Sequence, residues 1–198
     1  PKAALDIGET GPSGSGIFTL NWSNVGSDTL KDAVIYDVLP HVGDTGVSQG
    51  QSTVSRGSET AVEFQAASTG AGIGIAYSTS LNPCRPEVFA NALNGTCVND
   101  WSTTPPTPLS SVTALRFVGA GPYPKGASFT VSISVKMPTS VVNHVAWNSA
   151  ATNATDLSNP TTFPLPAEPP KVGLVAPSTP TIQTSTSVAE ADQFDAIS

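Results

Sequence analysis

Charge is scarce in this sequence. Only 12% of its 198 residues are Asp, Glu, Lys or Arg, about half the share near 25% that is usual in soluble domains. Lys and Glu, the residues that solvate helix surfaces, are scarce. No window keeps an apolar i, i+3, i+4, i+7 pattern, so almost no α-helix is expected. The eight Lys and Arg are scattered and outweighed by fifteen acids, for a net charge of -7. Affinity for phosphates needs clustered cations, so the balance excludes a nucleic-acid partner and disfavours an anionic membrane surface. No apolar run approaches the roughly 20 residues of a membrane-spanning helix, so no membrane insertion is expected. With two cysteines the chain is no disulfide scaffold, and at this length it can bury a core without staples. The two histidines, His41 and His144, stand apart, and no serine–histidine–acid set or paired carboxylates mark a cleft. A non-enzymatic chain with no cofactor is the expectation.

What fills the polar positions is Ser, Thr, Gly, Asn and Pro, which favours strands and turns. The organising stretch is 25–46, VGSDTLKDAVIYDVLPHVGDTG, whose apolar, β-branched run from Leu30 to Leu39 is stopped by Pro40 and reads as a half-buried central strand. An opening strand at 1–6 and a glycine-rich turn at 8–16 precede a strand at 17–22, where Phe18, Leu20 and Trp22 share one face. Further strands are expected at 60–66, 73–78, 112–117, 141–152 and 171–176. The clearest alternation is Phe129, Val131, Ile133 and Val135 against Ser128, Thr130, Ser132 and Ser134. The pattern fails over 81–108, LNPCRPEVFANALNGTCVNDWSTTPPTP, which reads as a long surface excursion. The fold expected is all-β: an antiparallel, immunoglobulin-like β-sandwich of about eight or nine strands, one domain over 1–176. Residues 177–198 read as a Pro/Ser/Thr-rich linker running into the first strand of a following repeat. The chain opens at Pro1 with no initiator methionine or leader, and is expected to be a piece of a longer secreted chain.

Three stretches, NVGSDTLKDAVIYDVLP, SFTVSISVKMP after PYPKGA, and VAWNSAATN, together resemble the conserved repeat domain of bacterial cell-surface and adhesin proteins. That family's N-x-G turn is matched by Asn24-Val25-Gly26 and its D-x-LP strand by Asp37-Val38-Leu39-Pro40. Its late alternating strand is matched from Lys125-Gly126 to Val135, and its N-x-A strand by Asn148-Ser149-Ala150. The resemblance covers roughly 2–155 and is nearest to wall-associated proteins of Gram-positive actinobacteria. It implies an extracellular β-sandwich strung in tandem on a bacterial cell surface or cell wall, with neighbouring repeats as partners. The 81–108 excursion departs from the family's compact pattern.

In an exported chain, Cys84 and Cys97 are most simply a disulfide that orders the excursion. Surface repeats of this kind sometimes carry a Lys-to-Asn isopeptide bond assisted by a buried acid, and Lys2, Asn148 and Asp37 stand where these residues would be. The plainer reading has Lys2 solvated and Asn148 as a hydrogen-bonded strand residue. Asp28, Asp32, Asp37 and Asp44 are expected to flank one end of the central strand; Asp37 and Asp44 are weak calcium candidates, without a dense D-x-D-x-D-G pattern. Arg85, Phe89 and Trp101 in the excursion are candidate contacts for a host protein or glycan, against their use as a local core around the disulfide. Three functions fit these observations: a structural or adhesive stalk module, a binding module acting through 81–108, or an accessory β-domain of a secreted carbohydrate-active enzyme.

Overall fold

Where large apolar residues alternate with Ser, Thr and Asn, strands form. The computed structural model describes residues 7–10, 13–159 and 166–177, and the opening strand expected at 1–6 and nearly all of 177–198 lie outside them. The described residues hold ten strands: β1 (Ile7–Glu9), β2 (Ser15–Ser23), β3 (Leu30–Val38), β4 (Glu63–Thr69), β5 (Ile73–Ser78), β6 (Ala114–Gly119), β7 (Ser128–Lys136), β8 (Val145–Asn148), β9 (Ala150–Asp156) and β10 (Val172–Val175). They contain no α-helix, only short 3₁₀ turns at Gln49–Gln51 and Leu109–Ser111.

The strands form three sheets, ordered β2-β7-β4, β5-β6-β3-β9 and β1-β10-β8. In the first, Phe18 lies opposite Ile133 and Trp22 opposite Phe129, and the Trp22 and Phe129 rings stack at 5.0 Å. One apolar core takes Phe18 and Trp22 from this sheet, Ile35 and Phe117 from the second, and Ala146 and Leu174 from the third. The arrangement is therefore sandwich-like, with side chains of all three sheets meeting in one interior.

Several expectations are corrected. The central strand β3 does pair on both sides, with β6 and β9, but it is buried on both faces from Ala33 to Val38 rather than half-buried. Its second face carries Val34, Tyr36 and Val38 into a separate cluster with Val47, Val88 and Ala151, against which Trp101 packs. The excursion thus covers the sheet. The stretch 141–152, expected as one strand, is divided at Ser149: β8 pairs with β10, whereas β9 pairs with β3 in another sheet. The sheets are not all antiparallel, because β1 runs parallel to β10, with Ile7 opposite Gly173 and Glu9 opposite Val175. The strand expected at 60–66 begins at Glu63 and shifts register between Phe64 and Ala66.

Candidate functional site

Alternation along β3 puts Ala33, Ile35, Asp37 and Leu39 on the face toward the main core. Asp37 is the polar member of that series and is fully buried, at 0% exposure. On β8, Asn148 follows Ala146 on the inward face and is 1% exposed. The two meet: Asn148 Nδ2 donates to Asp37 Oδ2 at 2.8 Å. The other carboxylate oxygen, Asp37 Oδ1, is buried without a hydrogen-bond partner. Burial pushes the Asp37 carboxyl up to about 6, against the opposing pull of the Asn148 hydrogen bond and the Arg56 charge.

Arg56, 3% exposed, lies alongside. Its guanidinium is fixed by Asp44 Oδ2 at 2.9 Å. It donates at 3.4 Å to Asn148 Oδ1, to the Ser149 carbonyl and to the Leu39 carbonyl. Asp44 also accepts from the Ser58 hydroxyl at 2.7 Å and from the His41 backbone N–H at 3.2 Å. Glu168 closes the neighbouring turn, accepting from the backbone N–H groups of Val47 and Ser48 and from the hydroxyls of Ser48 and Ser149 at 2.7–2.8 Å. Ser149 is where the chain passes from β8 to β9, so Arg56 and Glu168 hold that crossing from both its carbonyl and its side chain.

A buried carboxyl whose affinity for a proton is raised toward neutrality, bonded to a carboxamide, is suited to moving a proton during attack on that carboxamide. Of the expected trio, the structure thus brings Asp37 and Asn148 together, and Lys2 lies outside the described residues. Lys171, next to Asn148's cross-strand partner Val172, is engaged elsewhere: its Nζ donates to the Arg56 carbonyl and sits 4.7 Å from the centre of the Trp147 ring.

The four aspartates do not share one end of β3. Asp28 and Asp32 lie at its start and are exposed, while Asp37 and Asp44 lie at its far end and are buried. Asp44 there faces the Arg56 guanidinium, a resident cation. Among the described residues no group of three His, Cys, Asp or Glu could hold a metal ion.

Cys84 and Cys97 form a disulfide, with Cα atoms 4.8 Å apart. Arg85 is 5% exposed and donates to the Val47, Asn82 and Pro83 oxygens, with its guanidinium over the Phe89 ring at 5.7 Å. Trp101 donates its indole N–H to the Cys84 carbonyl at 2.8 Å and lies 5.6 Å from Tyr36. Glu87 accepts from the Tyr36 hydroxyl at 2.5 Å and from Arg116 at 2.8 Å. Burial and that hydrogen bond raise the Tyr36 hydroxyl well above its ordinary range. The side chains facing the sheet therefore tie the excursion down, and Leu81, Leu93 and Val98 are its large apolar residues left exposed.

Arg56, Ser58 and Glu168 are part of the site without being legible beforehand. Each is a lone charged or small polar residue in a loop, and only the fold brings them to Asp37 and Asn148.

No protein-family model matches the chain, and no curated protein does. Among solved structures, it is similar to the major pilin subunit of Bacillus cereus, BcpA. One structure of a BcpA variant overlays with 9% identity and a TM-score of 0.45, and BcpA itself with 9% and 0.41. In both, 87% of this chain matches 37% of the pilin, so the chain spans well under half of the pilin's length. A third overlay, with AvmM, which catalyses macrocyclization in alchivemycin A biosynthesis, has 10% identity and a TM-score of 0.36 over 90% of this chain and 87% of that one.

Proposed function

We propose that this chain is a load-bearing structural module of an exported bacterial surface protein, an immunoglobulin-like sandwich locked by an internal amide bond between Lys2 and Asn148. The observation that carries the reading is the buried Asp37–Asn148 pair at 2.8 Å, with Asp37 Oδ1 left unpartnered. An unpartnered buried carboxylate oxygen costs free energy, and a lysine amine brought against it would satisfy it. The desolvated amine then attacks Asn148 Cγ, a Cγ–Nζ bond forms, the Cγ–Nδ2 bond breaks, and ammonia leaves with a proton relayed by Asp37. The disulfide agrees with an oxidising compartment outside the cytosol. Spacing neighbouring repeats away from the wall is the role such a module fills.

Intact mass decides it. After reduction and thiol alkylation, the purified chain is expected to be about 17 Da, the mass of ammonia, lighter than its sequence with both cysteines alkylated, and Lys2→Ala is expected to show no such deficit. A reduced chain at full mass, with Lys2 intact, sinks the crosslink.

A second reading, adhesion to a host protein through the excursion, draws on exposed Leu81, Leu93 and Val98. The backbone that carries them is tied together, since Asn82 donates to the Asn94 side chain and accepts from the Val98 backbone N–H. Replacing all three with Ser would abolish adhesion on this reading and leave it untouched on the first.

A further inference from the structure

We infer that Arg56 is the group that orients and polarises the Asn148 carboxamide for attack, an oxyanion-stabilising role carried by a guanidinium rather than by the acid. This rests on the crosslink reading above. A guanidinium can only donate hydrogen bonds, and a carboxamide presents a donor on one side and an acceptor on the other. With Arg56 Nη1 facing one side of the Asn148 amide at 3.4 Å, that side must be Oδ1. Nδ2 is then directed at Asp37 Oδ2, where it lies at 2.8 Å. The arrangement divides the labour. Arg56 faces the atom on which negative charge grows, and Asp37 faces the atom that leaves.

As the lysine nitrogen bonds to Cγ, the C=O electron pair moves onto Oδ1, beside a positive charge in an interior where water is excluded. Asp37 takes a proton from Nζ and returns one to Nδ2. Collapse of the tetrahedral centre expels ammonia, so one amide replaces another with no oxidant and no co-reactant. The 3.4 Å separation belongs to the unreacted state, and such contacts shorten as charge develops. Arg56 is held for this by Asp44 at 2.9 Å and by the Leu39 and Ser149 carbonyls. Asp44 itself is fixed by Ser58 and His41. These contacts make the guanidinium a preorganised part of the site rather than a solvated charge that swings in.

The test tracks the loss of about 17 Da in freshly synthesised chain, comparing the unaltered sequence with the pair Arg56→Gln and Asp44→Asn, which removes both buried charges together. With folding verified by cooperative unfolding and near-ultraviolet dichroism, the pair is expected to lose ammonia about 100-fold more slowly, the usual effect of deleting one oxyanion donor. A folded pair variant that keeps pace overturns the role of Arg56 and leaves the crosslink standing. Unaltered chain that keeps its full mass overturns both. Should the pair variant not fold, neutron diffraction on Lys2→Ala, where Asn148 is unreacted, decides instead. Deuterons on the side facing Asp37 support the assignment, and deuterons facing Arg56 overturn it.

Discussion

Asp37 is placed where a hydrophobic residue would stabilise the fold more. In the unfolded chain its carboxyl loses a proton near the ordinary value of 3.8, and in the fold near 6. Between those values the folded chain binds more protons than the unfolded one, so the Asp37 contribution to stability falls as pH rises through this window. A displacement of about two pH units amounts to about 3 kcal/mol at its full extent. In a Lys2→Ala background, which keeps the crosslink out of the comparison, Asp37→Asn should therefore gain on its parent by about 2 kcal/mol between about pH 4.5 and 7.5, read from urea unfolding at each pH. A difference that stays flat across that range would mean the fold does not raise the carboxyl's affinity for its proton. This residue was legible in the sequence through the D-x-LP match, not through periodicity. Asn148 was legible in the same way, through the N-x-A match. Arg56 was not: it lies among Ser and Gly in a loop, and no periodicity marks which way a loop residue faces.

At the scale of elements, β2 and β7 could be read directly, since each has one wet face and the alternation shows it. The central strand could not be read fully, because a strand covered on both sides and a strand covered on one can share the same β-branched run. The second face of β3 is covered by the excursion, which meets it through the Trp101 ring against Tyr36 and through Glu87, which accepts from the Tyr36 hydroxyl. The division of 141–152 between two sheets was also hidden, as the turn at Ser149 is set by the distant residues Arg56 and Glu168. The disulfide acts at this scale. Cys84 and Cys97 close a loop 13 residues long, and such a closure stabilises by about 3 kcal/mol in the chain-entropy model. Cys84→Ser with Cys97→Ser is expected to lower the unfolding free energy by about 2–3 kcal/mol and to quicken amide exchange on β3 and β6, whose outer faces lie beneath the excursion. Unchanged exchange there would show that the excursion stays in place without the bridge.

For the whole molecule, the informative feature is the direction of β1 relative to β10. They run parallel and adjacent, with Gly8 opposite Leu174. Tension applied toward the N-terminus on one and toward the C-terminus on the other pulls the two strands past each other along their axes. Their hydrogen bonds are then loaded together in shear, whereas a hairpin pulled open at its ends loses them one at a time. β10 in turn pairs with β8, which carries Asn148. An amide bond from Lys2 to Asn148 would therefore join the pulled N-terminal end directly to the sheet that resists. It would also remove every residue between the two from the path of the force. The lengths are far apart. At about 3.5 Å per extended residue, a chain without the amide crosslink released from Ile7 to Pro177, less the loop that the disulfide closes, lengthens by about 550 Å, whereas a crosslinked one can release only the residues after Asn148, about 100 Å. Single-molecule pulling between handles at the two ends is expected to give the short extension for the unaltered chain and the long one for Lys2→Ala, with Asp37→Ala behaving like Lys2→Ala because the amide does not form. A long extension in the unaltered chain would leave the parallel β1–β10 pair as the sole brake, and the molecule would then resist force by its hydrogen bonds alone.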